Sequence, residues 1–96
     1  MKTKIALVGC AHIHTPSFVK MLTERAELFD VVGVWDPDPE RAEANARLLN
    51  APRCSSDQEI WKNPSVEAVV ICSETKLHEE LVRKAVEAKK HLFVEK

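Results

Sequence analysis

Ile5-Ala6-Leu7-Val8-Gly9, close to the start of the chain, is a continuous apolar run closed by a glycine. A strand covered on both faces reads this way, and the glycine marks a tight turn at its carboxyl end. Working outward, short β-branched runs alternate with amphipathic stretches along the whole sequence, the pattern of a parallel sheet with helical crossovers. The reading places strands near 4–9, 31–36, 52–54, 66–72 and 91–94. Only the 52–54 segment lacks a near-continuous apolar run. With right-handed crossovers the expected order is 3-2-1-4-5, a doubly wound, five-stranded parallel α/β sheet with its switch point between the first and fourth strands.

The helices between these strands have readable ends. Asp38 can cap a helix whose first residue is Pro39, where a missing N–H costs nothing, and Asn50 tolerates the left-handed conformation that stops it. Ser56 followed by Glu59 fits a capping box for a short helix through Trp61. Thr75 is placed as the cap of the last helix, where Leu77, Leu81, Ala85 and Ala88 form one stripe and Lys89 and Lys90 sit at the negative end of the dipole. For the first helix, Pro16 suits an early turn and Phe18, Leu22, Arg25 and Phe29 follow at helical spacing, with Met21 and Leu28 beside them. Glycine is absent from two helix ends where it is expected, Asn50 and Lys89-Lys90.

The bulk composition narrows the class. Ninety-six residues suit one domain spanning 1–96, and 45% apolar with 30% charged residues is ordinary for a globular protein. A net charge of -1 with no basic stripe argues against nucleic acid and against membrane surfaces. The apolar stretch ending at Gly9 is too short for a signal peptide or a membrane span. Cys10, Cys54 and Cys72 are odd in number and too widely spaced for a zinc pair, so they read as free thiols of a reducing compartment, and the expected location is the cytoplasm.

In open α/β sheets ligands bind beyond the carboxyl ends of the strands. There the predicted topology gathers Gly9 to His14, Asp36, Ser73 to His78 and Glu95-Lys96. A dinucleotide turn wants G-x-G-x-x-G, and only the first glycine is present: Ala11 puts a methyl group where phosphate approaches and His14 an imidazole where helix and strand pack. An ordinary strand-to-helix turn accounts for this segment as well. His12 and His14 lack a third ligand in reach, so no metal site is expected. Asp36, at the end of the second strand, can accept hydrogen bonds from the adenosine ribose and repel a 2′-phosphate, which favours NAD over NADP. Its structural alternative is a helix-leading residue of the Asp36-Pro37-Asp38-Pro39 turn, and Arg41 either softens the discrimination or decorates the helix.

Three segments together, the glycine turn, Cys72-Ser73-Glu74-Thr75 with His78, and Lys90-His91-Leu92-Phe93-Val94-Glu95-Lys96, resemble the N-terminal domain of the Gfo/Idh/MocA oxidoreductases over the whole chain. The closing Glu95-Lys96 is the most specific element. The resemblance implies an NAD(P)-dependent dehydrogenase passing hydride between nicotinamide and a sugar, polyol or related carbonyl substrate. It implies that Gly9, Ala11, His12 and Ile13 cradle the pyrophosphate, Asp36 holds the adenosine ribose, and Ser73, Glu74, Thr75 and His78 line the nicotinamide side. Glu95 would hold the nicotinamide ribose and Lys96 would be the catalytic lysine. Family members carry a second, substrate-binding domain with an antiparallel sheet, so the expectation is a cofactor domain that is not catalytic alone. Lys76, where the family often has asparagine, and Ala11 both depart from the pattern.

The rival reading is a half-Rossmann module, natural or engineered, that folds and self-associates with little nucleotide affinity. An unpaired edge at Leu92-Phe93-Val94 would favour a homodimer. A methyltransferase shares the glycine turn and the strand-2 acid but leaves Glu95-Lys96 unexplained.

Overall fold

The computed structural model describes residues 2–10, 15–72 and 75–94, excepting the side chains of Thr15, Thr75, Lys76, His78, Phe93 and Val94. In chain order it forms β1 (Thr3–Val8), α1 (Thr15–Glu24), β2 (Phe29–Trp35), α2 (Pro39–Leu49), α3 (Gln58–Trp61), β3 (Ala68–Ile71), α4 (Thr75–Glu87) and β4 (His91–Val94). The strands pair in parallel in the order β2-β1-β3-β4. The chain therefore leaves β1 first to one side and then to the other, which puts the switch point between β1 and β3.

Alternation along the strands builds a core on each face of the sheet. Ile5 and Leu7 of β1 join Ala68 and Val70 of β3 under Val19 and Leu22 of α1 and Ala46 of α2. Ala6 and Val8 join Val69 and Ile71 on the opposite face, under Ile60 of α3 and Leu81 and Ala85 of α4. Each fully buried Leu, Ile or Val contributes on the order of 1.5–3 kcal/mol of transfer free energy. This two-sided cover explains why the strand sequences are apolar throughout rather than alternating with polar residues.

β2 carries a bulge: Ile5 pairs with Val31 but Ala6 pairs with Gly33, so Val32 is the extra residue. Gly33 is needed for space, since a Cβ there would lie 3.0 Å from the Cys54 thiol and 3.8 Å from Ile60.

The helix ends follow the sequence closely in α2. Asp38 accepts from the Glu40 N–H at 3.0 Å, Pro39 opens the helix, and Asn50 ends it at φ 53°, ψ 46°. The same left-handed stop closes α4 at Lys89, φ 59°, where Lys89 N–H donates to Val86 and Lys90 N–H to Ala85. Glu59 accepts from the Ser56 N–H at 3.1 Å, one half of the expected capping box, and Gln58 N–H donates to the Ser56 hydroxyl at 3.2 Å. The Lys90 ammonium turns back to donate to the Asn63 and Val66 carbonyls, each at 2.9 Å, and its burial lowers its pKa.

Four expectations need correction. The described sheet has four strands rather than five, because the 52–54 segment makes a single parallel bridge, Val34 with Arg53. Two hydrogen bonds hold it, Val34 N–H to Pro52 at 3.0 Å and Cys54 N–H to Val34 at 2.8 Å. Pro52 has no N–H to extend the ladder. The first helix stops at Glu24, and Phe29 opens β2 opposite Thr3 instead of continuing the helical stripe. The strand expected over 66–72 is confined to Ala68–Ile71. Thr75 is the first helical residue of α4 rather than its cap.

Candidate functional site

The carboxyl ends of β1 and β2 meet at a short, heavily bonded junction. Gly9 follows β1 at φ 82°, in the left-handed region where glycine alone sits without strain, and its N–H donates to the Trp35 carbonyl at 2.7 Å. The next N–H, that of Cys10, donates to Oδ1 of Asp36 at 2.6 Å. The other carboxylate oxygen of Asp36 accepts from the Asp38 N–H at 2.8 Å and pairs with Nε of Arg41 at 3.2 Å.

Burial makes these donors necessary. The Asp36 side chain is 1% exposed, and a carboxylate removed from water persists only where hydrogen bonds and a countercharge replace the hydration shell. Asp36 thus fills its structural role as leader of the α2 turn. It also pins the first peptide after Gly9, a connection the sequence does not display. Arg41 reaches Asp38 as well, with its guanidinium 3.7 Å from that carboxylate, so one cation spans both acids of the turn.

Cys10 and Cys72 are buried close to this junction, within the same core face. Burial, then the nearby Asp36 and Cys72, push the Cys10 thiol up to about 12 against a weaker opposing effect of Arg41. Cys10 is therefore a neutral thiol near pH 7 and a poor nucleophile, so its contribution to the site is its backbone N–H. Burial, followed by Glu59, also raises the Cys54 pKa, against the hydrogen bond from Val34.

Of the residues singled out from the sequence, Gly9 and Asp36 lie together, bridged by Cys10. Thr75 and His78 fall in the first two turns of α4, which begins just beyond β3 on the same rim. Ala11, His12, Ile13, Ser73, Glu74, Glu95 and Lys96 lie outside the described residues. Among the described residues no group of three or more His, Cys, Asp or Glu could hold a metal ion. No described helix is long and apolar enough to cross a membrane.

A doubly wound parallel sheet with a left-handed glycine after its first strand and an acid after its second defines the class of dinucleotide-binding Rossmann domains. The model of the Gfo/Idh/MocA oxidoreductase family, NAD-binding Rossmann fold, matches residues 3–96, and the chain belongs to that family. It is 40% identical over 94 residues to inositol 2-dehydrogenase of Acidothermus cellulolyticus, covering 97% of this chain and 27% of that protein. It is 34% identical over 98 residues to inositol 2-dehydrogenase of Ralstonia nicotianae, covering 100% of this chain and 29% of that protein. Among solved structures, myo-inositol dehydrogenase from Lactobacillus casei, in complex with NAD(H) and myo-inositol, superimposes with a TM-score of 0.87 at 33% identity, over 100% of this chain and 29% of that one. The chain thus spans less than a third of the length of these relatives.

Proposed function

We propose that this chain is the cofactor-binding part of an NAD-dependent oxidoreductase that transfers hydride to or from a sugar, polyol or related carbonyl compound. One observation carries the reading: the glycine turn and the buried acid are bonded to one another, Cys10 N–H to Asp36, at the carboxyl ends of β1 and β2, the rim on which open α/β sheets bind their ligands. The Gly9 turn, with Ala11, His12 and Ile13, would receive the pyrophosphate at the start of α1. Asp36 would face the adenosine ribose: two backbone N–H groups bond to its carboxylate and Arg41 pairs with it as an ion, which leaves acceptor capacity for a hydroxyl. Ser73, Glu74, Thr75 and His78 would line the nicotinamide side. Glu95 would hold the nicotinamide ribose and Lys96 would act as the lysine nearest the reacting carbinol. NAD supplies the hydride acceptor, and the residues of this chain bind and orient it. Catalysis by this chain alone is not expected, since the substrate pocket in the wider family belongs to a further domain. Three cysteines, odd in number and widely spaced along the sequence, fit a reducing cytoplasm.

Titration of the isotope-labelled chain with NAD, followed by amide NMR, tests this. Saturable shifts at Gly9, Cys10 and Asp36 are expected. A well-dispersed spectrum that ignores millimolar NAD would leave a folded half-Rossmann module in its place.

A second reading concerns assembly. β4 is an edge strand, paired with β3 on one side only among the described residues, and an edge of this kind can pair with a second copy to give a homodimer. Sedimentation velocity across a range of concentrations separates monomer from dimer.

A further inference from the structure

The two flanks of α4 differ in character. Between them, Leu81 and Ala85 point into the core, with Val69 and Ile71 of β3 and Leu92 of β4 packed there. On one flank Lys84 donates to Asp57 at 2.9 Å and pairs with Glu80 at 3.5 Å, tying α4 to the start of α3. α3 lies toward β2, since a Cβ at Gly33 would be 3.8 Å from Ile60. Val82 and Val86 stand two residues before and after Lys84, on the far side of a helix with about 3.6 residues per turn. They therefore overhang the side of β4 that has no strand neighbour among the described residues. Val86 is 64% exposed there. The stripe continues as Glu79, Val82, Val86 and Lys89, and neither Glu79 nor Lys89 has an ion-pair partner among the described residues, whereas Glu80 at the same helical spacing pairs with Lys84.

This stripe is complementary to itself. Set antiparallel to a second copy about a two-fold axis level with Lys84, each Val82 meets the partner's Val86 and each Glu79 meets the partner's Lys89. The same axis, standing upright on the sheet, relates two β4 edges paired antiparallel. We propose that the open edge of β4 and the Glu79-Val82-Val86-Lys89 flank of α4 together bind a second copy of this chain, so that two sheets run on as one and the two α4 helices pack antiparallel across the seam. The inference rests on the homodimer reading and names the surface that makes it specific. The valines form the apolar centre. The Glu79–Lys89 pairs at its ends set the direction of packing and, being exposed, add little affinity of their own.

The test is sedimentation velocity over a wide concentration range for the wild type, Val86→Glu, Glu79→Lys and the charge-swapped Glu79→Lys/Lys89→Glu, with thermal unfolding at low concentration to verify the fold of each. The wild type should associate to a dimer. Val86→Glu should raise the dissociation constant by about tenfold or more, because it brings a carboxylate without a partner into the apolar centre. Glu79→Lys should weaken the dimer by about tenfold through two facing like-charge pairs, and the double variant should return to within about threefold of the wild type. A wild-type dimer that Val86→Glu and Glu79→Lys leave unchanged overturns the α4 seam while the β4 edge reading stands. A double variant as weak as Glu79→Lys overturns the antiparallel match. If the wild type stays monomeric at every concentration, the homodimer reading fails first and this inference with it.

Discussion

The backbone N–H of Cys10 and the carboxylate of Asp36 meet at 2.6 Å, joining the ends of two adjacent strands across 26 residues of sequence. The bond is buried, and the same carboxylate also holds the start of α2 through Asp38 and Arg41. One side chain thus organises the turn after β1, the turn after β2 and the approach to the next helix. This is also the rim where a dinucleotide is expected, so stability and binding are coupled at Asp36.

Asp36→Ala should therefore destabilise the chain by roughly 2–4 kcal/mol, the scale for loss of a buried charge-assisted network. Urea unfolding gives the value directly, and amide exchange at Cys10 should quicken because its acceptor is gone. A loss below about 0.5 kcal/mol, the range of ordinary surface substitutions, would contradict the network. In the same variant NAD affinity should fall by about 1–2 kcal/mol, consistent with loss of one charge-assisted hydrogen bond.

Gly33→Ala tests the packing beneath the β2 bulge. The new methyl group would lie 3.0 Å from the Cys54 thiol, so the cost should be about 1–3 kcal/mol, typical of an overpacked core. Removing the obstacle in Gly33→Ala/Cys54→Ala should recover part of that loss. Additive effects in the double-mutant cycle would show that the two sites do not compete for the same space.

Lys89→Gly should stabilise the protein by about 1 kcal/mol, because Lys89 sits at φ 59° and only glycine occupies that region without a Cβ penalty. The gain from Asn50→Gly at φ 53° should be smaller, since asparagine tolerates the left-handed conformation. Thermal unfolding of the two variants side by side checks the ranking.

These positions also show what the sequence could and could not reveal. Both left-handed helix stops were legible, because Asn50 and Lys89-Lys90 end amphipathic stretches where glycine is the usual residue. The apolar run Ile5 to Val8 foretold a strand covered on both faces, and Asp38-Pro39 the start of α2. The 52–54 strand misled, since three residues containing Pro52 support only a bridge. Phe29 misled in another way: its helical spacing from Leu22 and Arg25 was real, but pairing with Thr3 draws it into β2. At the site, Asp36 was recognised as an acid at a strand end. Its bond to Cys10 depends on how closely the two strand ends approach, and no local residue pattern encodes that distance.

The opposite face of the sheet carries a pH-sensitive contact at Asp57. Asp57 accepts from the Trp61 indole N–H and from the Lys84 ammonium, each at 2.9 Å, fastening α3 to α4. Burial tends to raise the Asp57 pKa, but the hydrogen bonds from Lys84 and Trp61 prevail and hold it below its ordinary value of 3.8. The hydrogen bond to Asp57 raises the Lys84 pKa above its ordinary value of 10.5, outweighing the opposing effect of burial. A depressed carboxyl pKa gives stability that is present above 3.8 and is lost as pH falls through the lower, folded value. A raised ammonium pKa gives stability that is present below 10.5 and is lost as pH rises through the higher, folded value. Denaturant midpoints measured across pH should therefore decline at both extremes, and Asp57→Asn should flatten both declines because it removes the shared partner. A variant whose acid and alkaline limbs match those of the wild type would place the pH sensitivity elsewhere in the chain.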